Sequence, residues 1–313
     1  LATTTTAPAT TTTAPATTTA APTTTTAAPA TTSVPTQTPT GEDGNRLPQD
    51  GNPVHARFEK YKDYIDKADN VLSYQLDCGG WPKNVSYDKP GKGGSDKGTF
   101  DNGATTMELT LMADAYNRTK ENKYLESARK AMDYVLEAQY PEGGWPQFYP
   151  LKGGYADHVT FNDDAMSRTV TLLQKALDKT PPFHTDVLTD EQRSKLQGAI
   201  DRGIDYILKA QYVQNGKKTV WCAQHGKSDY EPKKARSYEW PSLSGSESVE
   251  IIGFLMFVPQ TPEIKEAVIN AVNWFNSPDT YLQDYAYVND EFIPKTGSRV
   301  WARFHDLETN LPV

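Results

Sequence analysis

An all-α protein built from repeated helical hairpins is the fold class that this 313-residue sequence predicts, on three observations. Segments with apolar residues at three- and four-residue spacing alternate with segments that are apolar nearly all round. Between them recurs a glycine–tryptophan elbow, QLDCGGWP at Gln75–Pro82 and QYPEGGWP at Gln139–Pro146. Strand signals are few and short. Pairs of one striped and one buried helix imply hairpins closed into an α/α barrel or toroid, with the apolar helices inside; an irregular helical array without closure is the alternative.

The chain begins with a different kind of segment. From Ala2 to Thr40 it is almost entirely Thr, Ala and Pro and carries no charge. Such a composition buries too little apolar surface to offset its ordering entropy, which predicts a disordered linker over 1–45, of the kind that tethers modules of secreted proteins. Residues 46–313 are enough for a sizeable single core. Leu1 opens directly into the linker without a signal peptide, and no apolar run approaches a membrane span. The expectation is a mature or excised piece of a secreted, extracellular modular protein with no membrane partner. Cys78 and Cys222 allow at most one disulfide, two free thiols being the other reading. A net charge of −8 and the lack of an Arg-rich run with interleaved aromatics argue against nucleic acid. An acidic chain still takes an acidic substrate if a cation and local basic residues neutralise the cleft.

From Ala56 to Gln75, Phe58, Tyr61, Ile65, Ala68 and Leu72 predict an amphipathic helix. The first elbow and a loop with Lys83, Lys92 and Lys97 lead to Ala104–Tyr116, whose Met107, Leu109, Leu111, Met112 and Ala115 mark a buried inner helix. The second copy has Leu125, Ala128, Met132 and Val135 on the stripe of Tyr124–Gln139. Pro141 and Gly143-Gly144 stop it, and Ala165–Leu177 is its inner helix. The third begins near Glu191 and runs through Leu196, Ile200, Ile204 and Leu208. Its elbow carries an insertion, with Gln211 and Trp221 ten apart instead of six, and its inner helix is Gly245–Val258. Ile264–Phe275 starts a degenerate fourth unit.

Each inner helix opens with oxygen-bearing side chains: Asp101-Asn102, Asn162-Asp163-Asp164, and Ser242 to Glu247. Helix capping explains any one of these alone. Capping does not require two or three such residues in succession, nor the same arrangement in successive repeats. Parallel hairpins bring the three starts to one end, where carboxylates and amides suit a hard cation such as calcium. No EF-hand loop, HExxH or paired CxxC is present, and no Ser/His/Asp order or GxSxG elbow. Lys233, Lys234 and Arg236 precede the third inner helix, as a solvated loop or a binding surface. His158 and His225 fall in loops at the same end. Trp81, Trp145 and Trp240 either stack on sugar faces or pack the elbows.

In this order, TFDNGATTMEL, GGWPQFYP, HVTFNDDAM and KARSYEWPSLSGSES closely resemble motifs of the family 10 polysaccharide lyases, which are pectate lyases. The resemblance runs from about Ala56 to Val313. It implies an (α/α)3 toroid and calcium-assisted β-elimination of polygalacturonate to 4,5-unsaturated oligogalacturonides. It also implies Asp101, Asn102 and either Asp163 or Asp164 around calcium and the uronate, and Arg236 as Brønsted base. Lys83, Trp145, His158, Lys233 and Lys234 are the expected substrate-binding residues. The C5 proton of a uronate lies beside a carboxylate, so a cation there stabilises the enolate-like intermediate. Arginine is an awkward base, being normally protonated, and Lys233 or Lys234 is chemically easier.

Members of that family continue beyond a segment like ARFHDLETNLPV, with a further substrate-binding arginine, so the expectation is a chain truncated at its C-terminus. The expected protein is a monomer acting on pectate and tethered by its linker to another module, such as a carbohydrate-binding domain. Two readings compete: a non-catalytic calcium-dependent pectate binder, if truncation removes an essential residue, and a glycoside hydrolase using Glu108 and Asp163. The elbow spacing also matches a repeat of triterpene cyclases, but their DxDD motif and membrane-facing apolar character are missing.

Overall fold

The computed structural model describes residues 59–313; the linker expected over 1–45 and the boundary at 46 lie outside the described residues. The first striped segment is less regular than its spacing predicts. Glu59–Lys67 winds as a 3₁₀ helix, and only Ala68–Leu72 (α1) is α-helical. Tyr61 is the one buried side chain of the 3₁₀ stretch, so tertiary packing gives an α-helical stripe little to hold.

Three helical hairpins follow. They are α2 (Thr106–Thr119) with α3 (Asn122–Glu137), α4 (Ala165–Leu177) with α5 (Asp190–Ala210), and α6 (Gly245–Phe257) with α7 (Pro262–Phe275). The apolar helices α2, α4 and α6 pack in succession as an inner row, and α3, α5 and α7 as an outer row. A capping box between Thr189 and Gln192 starts α5, and Thr261 with Pro262 starts α7.

The elbows join one repeat to the next through the same bonds each time. Gln75, Gln139 and Gln211 each donate both side-chain N–H groups to backbone carbonyls. One acceptor lies in its own elbow (Gly79, Gly143, Thr219) at 2.9 Å, and the other on the next outer helix (Ser127, Ala199, Ala267) at 2.8–3.0 Å. Beside them, Trp81, Trp145 and Trp221 are buried and donate their indole N–H to Val71, Val135 and Ile207 at 2.7–2.8 Å. Gly143 shows why the elbow needs glycine: its φ is +112°, and a Cβ there would sit 1.9 Å from the Arg202 carbonyl oxygen.

The expected all-α class, an (α/α)3 toroid, is corrected by the strands. Among the described residues there are ten, in five antiparallel pairs. β1 (Gly98–Thr99) pairs with β2 (Phe148–Tyr149), β3 (Val159–Thr160) with β6 (Gln224–His225), and β7 (Leu243–Ser244) with β10 (Phe304–His305). In each case the strand just before an inner helix pairs with the elbow of the following repeat, so backbone hydrogen bonds clamp the helix mouths together. The elbow insertion folds as its own hairpin, β4 (Val213–Gln214) with β5 (Lys217–Lys218). The longest pair is β8 (Leu282–Val288) with β9 (Glu291–Val300). Asn289 and Asp290 turn it, both at positive φ, as a two-residue type I′ hairpin requires. Two-residue strands carry no readable alternation, which is why the helical pattern hides them. Cys78 and Cys222 are both free thiols.

The repeated glutamine bridge generates a stability test. Gln211 is buried, and truncating it leaves the Thr219 and Ala267 carbonyls without their donor. Gln211→Ala should lower the unfolding free energy by about 2–4 kcal/mol in urea titrations, the cost of buried unsatisfied polar groups. A midpoint unchanged from the parent would show that the bridge does not hold the repeats.

Candidate active site

The mouths of α2, α4 and α6 open on one cleft of about 590 Å³. Its floor comes from the oxygen-rich turns. Asp101–Gly103 and Asn162–Asp164 are both short 3₁₀ turns with kinked backbones, Asn102 at φ +54°, Asp163 at +52° and Asp164 at +63°. None of the three inner helices has a side-chain cap bond at its N-cap residue, so these side chains are not spent on capping. The kinks aim them away from the helix ends instead.

Asp101 is buried at 1% exposure. Its Oδ2 accepts from Gln147 Nε2 at 2.8 Å and is ion-paired with Lys83, while its Oδ1 has no partner. Asp163 lies within hydrogen-bonding reach of Asp101. Burial, and then the neighbouring Asp101 carboxylate, push its carboxyl up to about 6. Arg303 offsets part of this. Its guanidinium sits 3.5 Å from Asp163, 3.2 Å from Glu247 Oε1 and 3.1 Å from Asn162 Oδ1. Asn162 Nδ2 donates to Asp163 Oδ2 at 2.6 Å, and Asn102 Nδ2 to Asn84 Oδ1 at 2.8 Å.

Across the cleft stands the loop before β7, with Lys233, Arg236, Glu239 and Trp240 along the wall. Lys233 is ion-paired with Asp229 at 2.6 Å. The Arg236 guanidinium forks onto the Glu239 carboxylate, with Nε to Oε2 at 2.8 Å and Nη2 on Oε1. Glu239 holds Arg236 charged, well above the usual guanidinium range, and is itself held below the usual carboxylate range.

Of the site residues expected from sequence, Lys83, Asp101, Asn102, Asp163, Lys233 and Arg236 line this cleft. Asp164 does not; it is buried beside Arg168, 3.7 Å away. Trp145 is closed inside its elbow with no face for a sugar. Lys234 lies over the Trp240 ring, 3.8 Å from its centroid. His158 is half-buried behind the wall, its imidazole lowered by burial and then by Lys233. Gln147, Gln224, Glu239 and Arg303 enter the cleft without having been expected there. Arg303 was findable: TVWCAQH and RVWARFH align the fourth elbow with the third, which puts Arg303 beside the position of Ala223 on the cleft wall.

A cation fits the floor. Asp101 Oδ1, Gln147 Oε1 and Gln224 Oε1 are buried oxygens without partners, and the two adjacent carboxylates repel each other. The donors are all oxygen, as a hard cation needs. No group of three His, Cys, Asp or Glu gathers for a metal among the described residues, so a cation here would draw on amides and on substrate.

Comparison with known proteins gives one consistent result. A family model described as pectic acid lyase matches residues 59–313. The family 10 polysaccharide lyase from Cellvibrio cellulosa is 50% identical, with a TM-score of 0.82 and coverage of 85% of this chain and 85% of that one. An aspartate-to-alanine mutant of the family 10 polysaccharide lyase from the same organism, in complex with trigalacturonic acid, matches with a TM-score of 0.81 at 50% identity, covering 85% of this chain and 86% of that one. No curated protein matches.

One carboxyl beneath the floor makes a measurable difference to stability. Glu108 on α2 is buried, accepts from the Tyr87 hydroxyl at 2.6 Å, and is pushed up to about 7 by burial. Unfolded it titrates near ~4.3. The folded chain therefore binds this proton more tightly, and the stability it contributes is complete below ~4 and is lost as pH rises through 7. Unfolding free energy should fall by roughly 2–4 kcal/mol on that account between acidic and alkaline pH. Glu108→Gln keeps the Tyr87 bond and should flatten the profile in urea titrations across pH; parallel curves for the two proteins would overturn the assignment.

Proposed function

The chain belongs to the pectic acid lyase family and is a lyase acting on polysaccharides, a pectate lyase, and on that premise we propose that it cleaves α-1,4-polygalacturonate by calcium-assisted β-elimination with Arg236 as the base. The observation that carries this reading is the placement of Asp101 and Asp163 on the floor of the same cleft whose wall presents Arg236 and Lys233.

Lys83, Lys233, Arg236 and Arg303 stand in the cleft beside Asp101, Asp163 and Glu239, which gives an acidic protein a local set of cations for uronate carboxylates. Asp101, Asn102 and Asp163 would hold calcium, which when bound withdraws charge from the carboxylate beside C5 and acidifies the C5 proton. Arg236, in its neutral form, takes that proton. The C5–H electron pair becomes the C4=C5 double bond, the C4–O bond breaks, and the departing oxygen is protonated by solvent. The product is a 4,5-unsaturated oligogalacturonide. Asp164 has no part in this, since it faces Arg168. The Glu108–Asp163 pair of a two-carboxylate hydrolysis is not supported, since Glu108 is buried on Tyr87 and does not line the cleft.

The protein acts as a secreted monomer, and its Thr/Ala/Pro-rich segment tethers the lyase to another module such as a carbohydrate-binding domain. Composition supports the tether, since from Ala2 to Thr40 the segment carries no charge and only Val34 among the larger apolar side chains.

Incubation with polygalacturonate should produce ultraviolet-absorbing unsaturated ends. Exhaustive chelation should abolish them and calcium, not zinc, should restore them; activity indifferent to chelation would remove the cation from the mechanism. Arg236→Ala should lower kcat by ~10²–10⁴, the range for a positioned general base, with a smaller change in substrate binding. Arg236→Lys should recover only part, because an ammonium does not reproduce the fork. Near-parental turnover in Arg236→Ala together with loss in Lys233→Ala would transfer the role to the lysine.

A further inference from the structure

The proposed base is not free to act as one in the structure. The Nε and Nη2 of Arg236 are both engaged by the Glu239 carboxylate, and the same carboxylate also accepts the Arg236 backbone N–H at 3.1 Å. The turn that holds the pair is closed independently, by Glu239 N–H to the Arg236 carbonyl at 2.9 Å and Ala235 N–H to the Glu239 carbonyl at 3.0 Å. The carboxylate contacts are therefore extra to those that make the turn. Both side chains line the cleft, and Arg236 is 55% exposed, so incoming anionic groups reach the fork.

We infer that Glu239 is a positioning residue that latches Arg236 in its charged form in the free enzyme, and that a uronate chain entering the cleft must open the fork before Arg236 takes the C5 proton. This rests on the reading of Arg236 as base. The charge and proton balance is simple. Opening leaves Glu239 ionised, Arg236 gives one proton to solvent, and the neutral guanidine accepts the C5 proton during elimination. Glu239 has an electrostatic neighbour to turn to, since Arg303 across the cleft also stabilises its ionised form. The other groups facing Arg236 are Tyr238, whose ring centroid is 5.0 Å from the guanidinium, and Tyr155 from the turn Gly154–Asp157. Both are phenols rather than carboxylates, which leaves Glu239 as the carboxylate paired with Arg236.

The latch makes a prediction opposite to the usual effect of damaging a cleft. Glu239→Gln removes the anion and keeps the size, so kcat/KM should rise roughly two- to fivefold on the acidic side of the profile, the scale of an exposed ion pair. The ascending limb of kcat/KM should move toward lower pH. The limb of kcat should move less, because the substrate-bound enzyme already has the fork open. Glu239→Asp keeps the charge but is one methylene short of both nitrogens, and should shift the same way by less. It decides the matter if the amide variant fails to fold by thermal melting.

An unmoved kcat/KM profile in a folded Glu239 variant, or a fall in kcat and kcat/KM together, overturns the latch; the second result would mean that Glu239 is needed in the transition state. Arg236→Ala separates this from the parent reading. If it is inactive while the Glu239 variants keep the original profile, the base stands and only the latch falls. If it retains turnover, the base reading falls and the latch with it.

Discussion

The glutamine bridge at each elbow is the constraint on which the rest of the structure depends. Apolar burial between helical hairpins is non-directional, so it drives packing without fixing how far one hairpin slides or turns against the next. Gln75, Gln139 and Gln211 remove that freedom, because a buried amide must meet both of its acceptors at once, one in its own elbow and one on the neighbouring outer helix. The adjacent tryptophans do the same for the rim of the preceding outer helix, each with its single N–H satisfied by a carbonyl there. Once register is set at the elbows, the short strands that follow them meet the strands before the inner helices, and the helix mouths are held in a common rim.

That rim is where the fold and the chemistry come into conflict. Local physics would use Asp101, Asn102 and Asp163 to cap helices, and would keep a buried and a half-buried carboxylate apart. The chain does neither. Positive-φ turns direct the side chains into the cleft, and Asp163 is left beside Asp101 with its affinity for a proton raised. Lys83 pairs with Asp101 and Arg303 with Asp163, which offsets part of the repulsion between the two carboxylates. Strain of this kind, concentrated in residues that face one cleft, has no structural benefit for the helices that carry it.

The wall opposite is built on the reverse principle, with its two lining cations already matched. Lys233 has Asp229 and Arg236 has Glu239, both within the loop that carries them. Pairing lowers the cost of clustering cations in an exposed loop, and for Arg236 it also favours the charged form. An arginine base placed there starts from the least favourable protonation state available to it, so the energetics of the loop depend on what enters the cleft to exchange partners.

The sequence by itself determined the helices after the first striped segment, the repeat and the motif-bearing turns. Ala165–Leu177 is helical over the very span its apolar positions predict, and the elbow strings at Gln75 and Gln139 mark where Ala68–Leu72 and Asn122–Glu137 give way. These are local properties, set by periodicity, glycine and proline within a few residues. The motifs TFDNG and FNDDA likewise announced oxygen clusters at helix starts. The β8–β9 hairpin was legible too, in the alternation of Tyr285 and Tyr287 before Asn289-Asp290, though the dominant helical pattern obscured it. Only the tertiary structure decided the rest. The two-residue strands at the helix mouths exist because their partners lie about 50 to 66 residues away and have no local signal. Trp145 and Trp240 are the same residue type, yet one is sealed in an elbow and the other stands on the cleft wall, because burial depends on what a distant segment covers. Asp163 and Asp164 are neighbours with the same side chain and the same sign of φ. One faces Asp101 and the cleft while the other faces Arg168, a division made by the packing of α4 between α2 and α6 and invisible in the letters D-D.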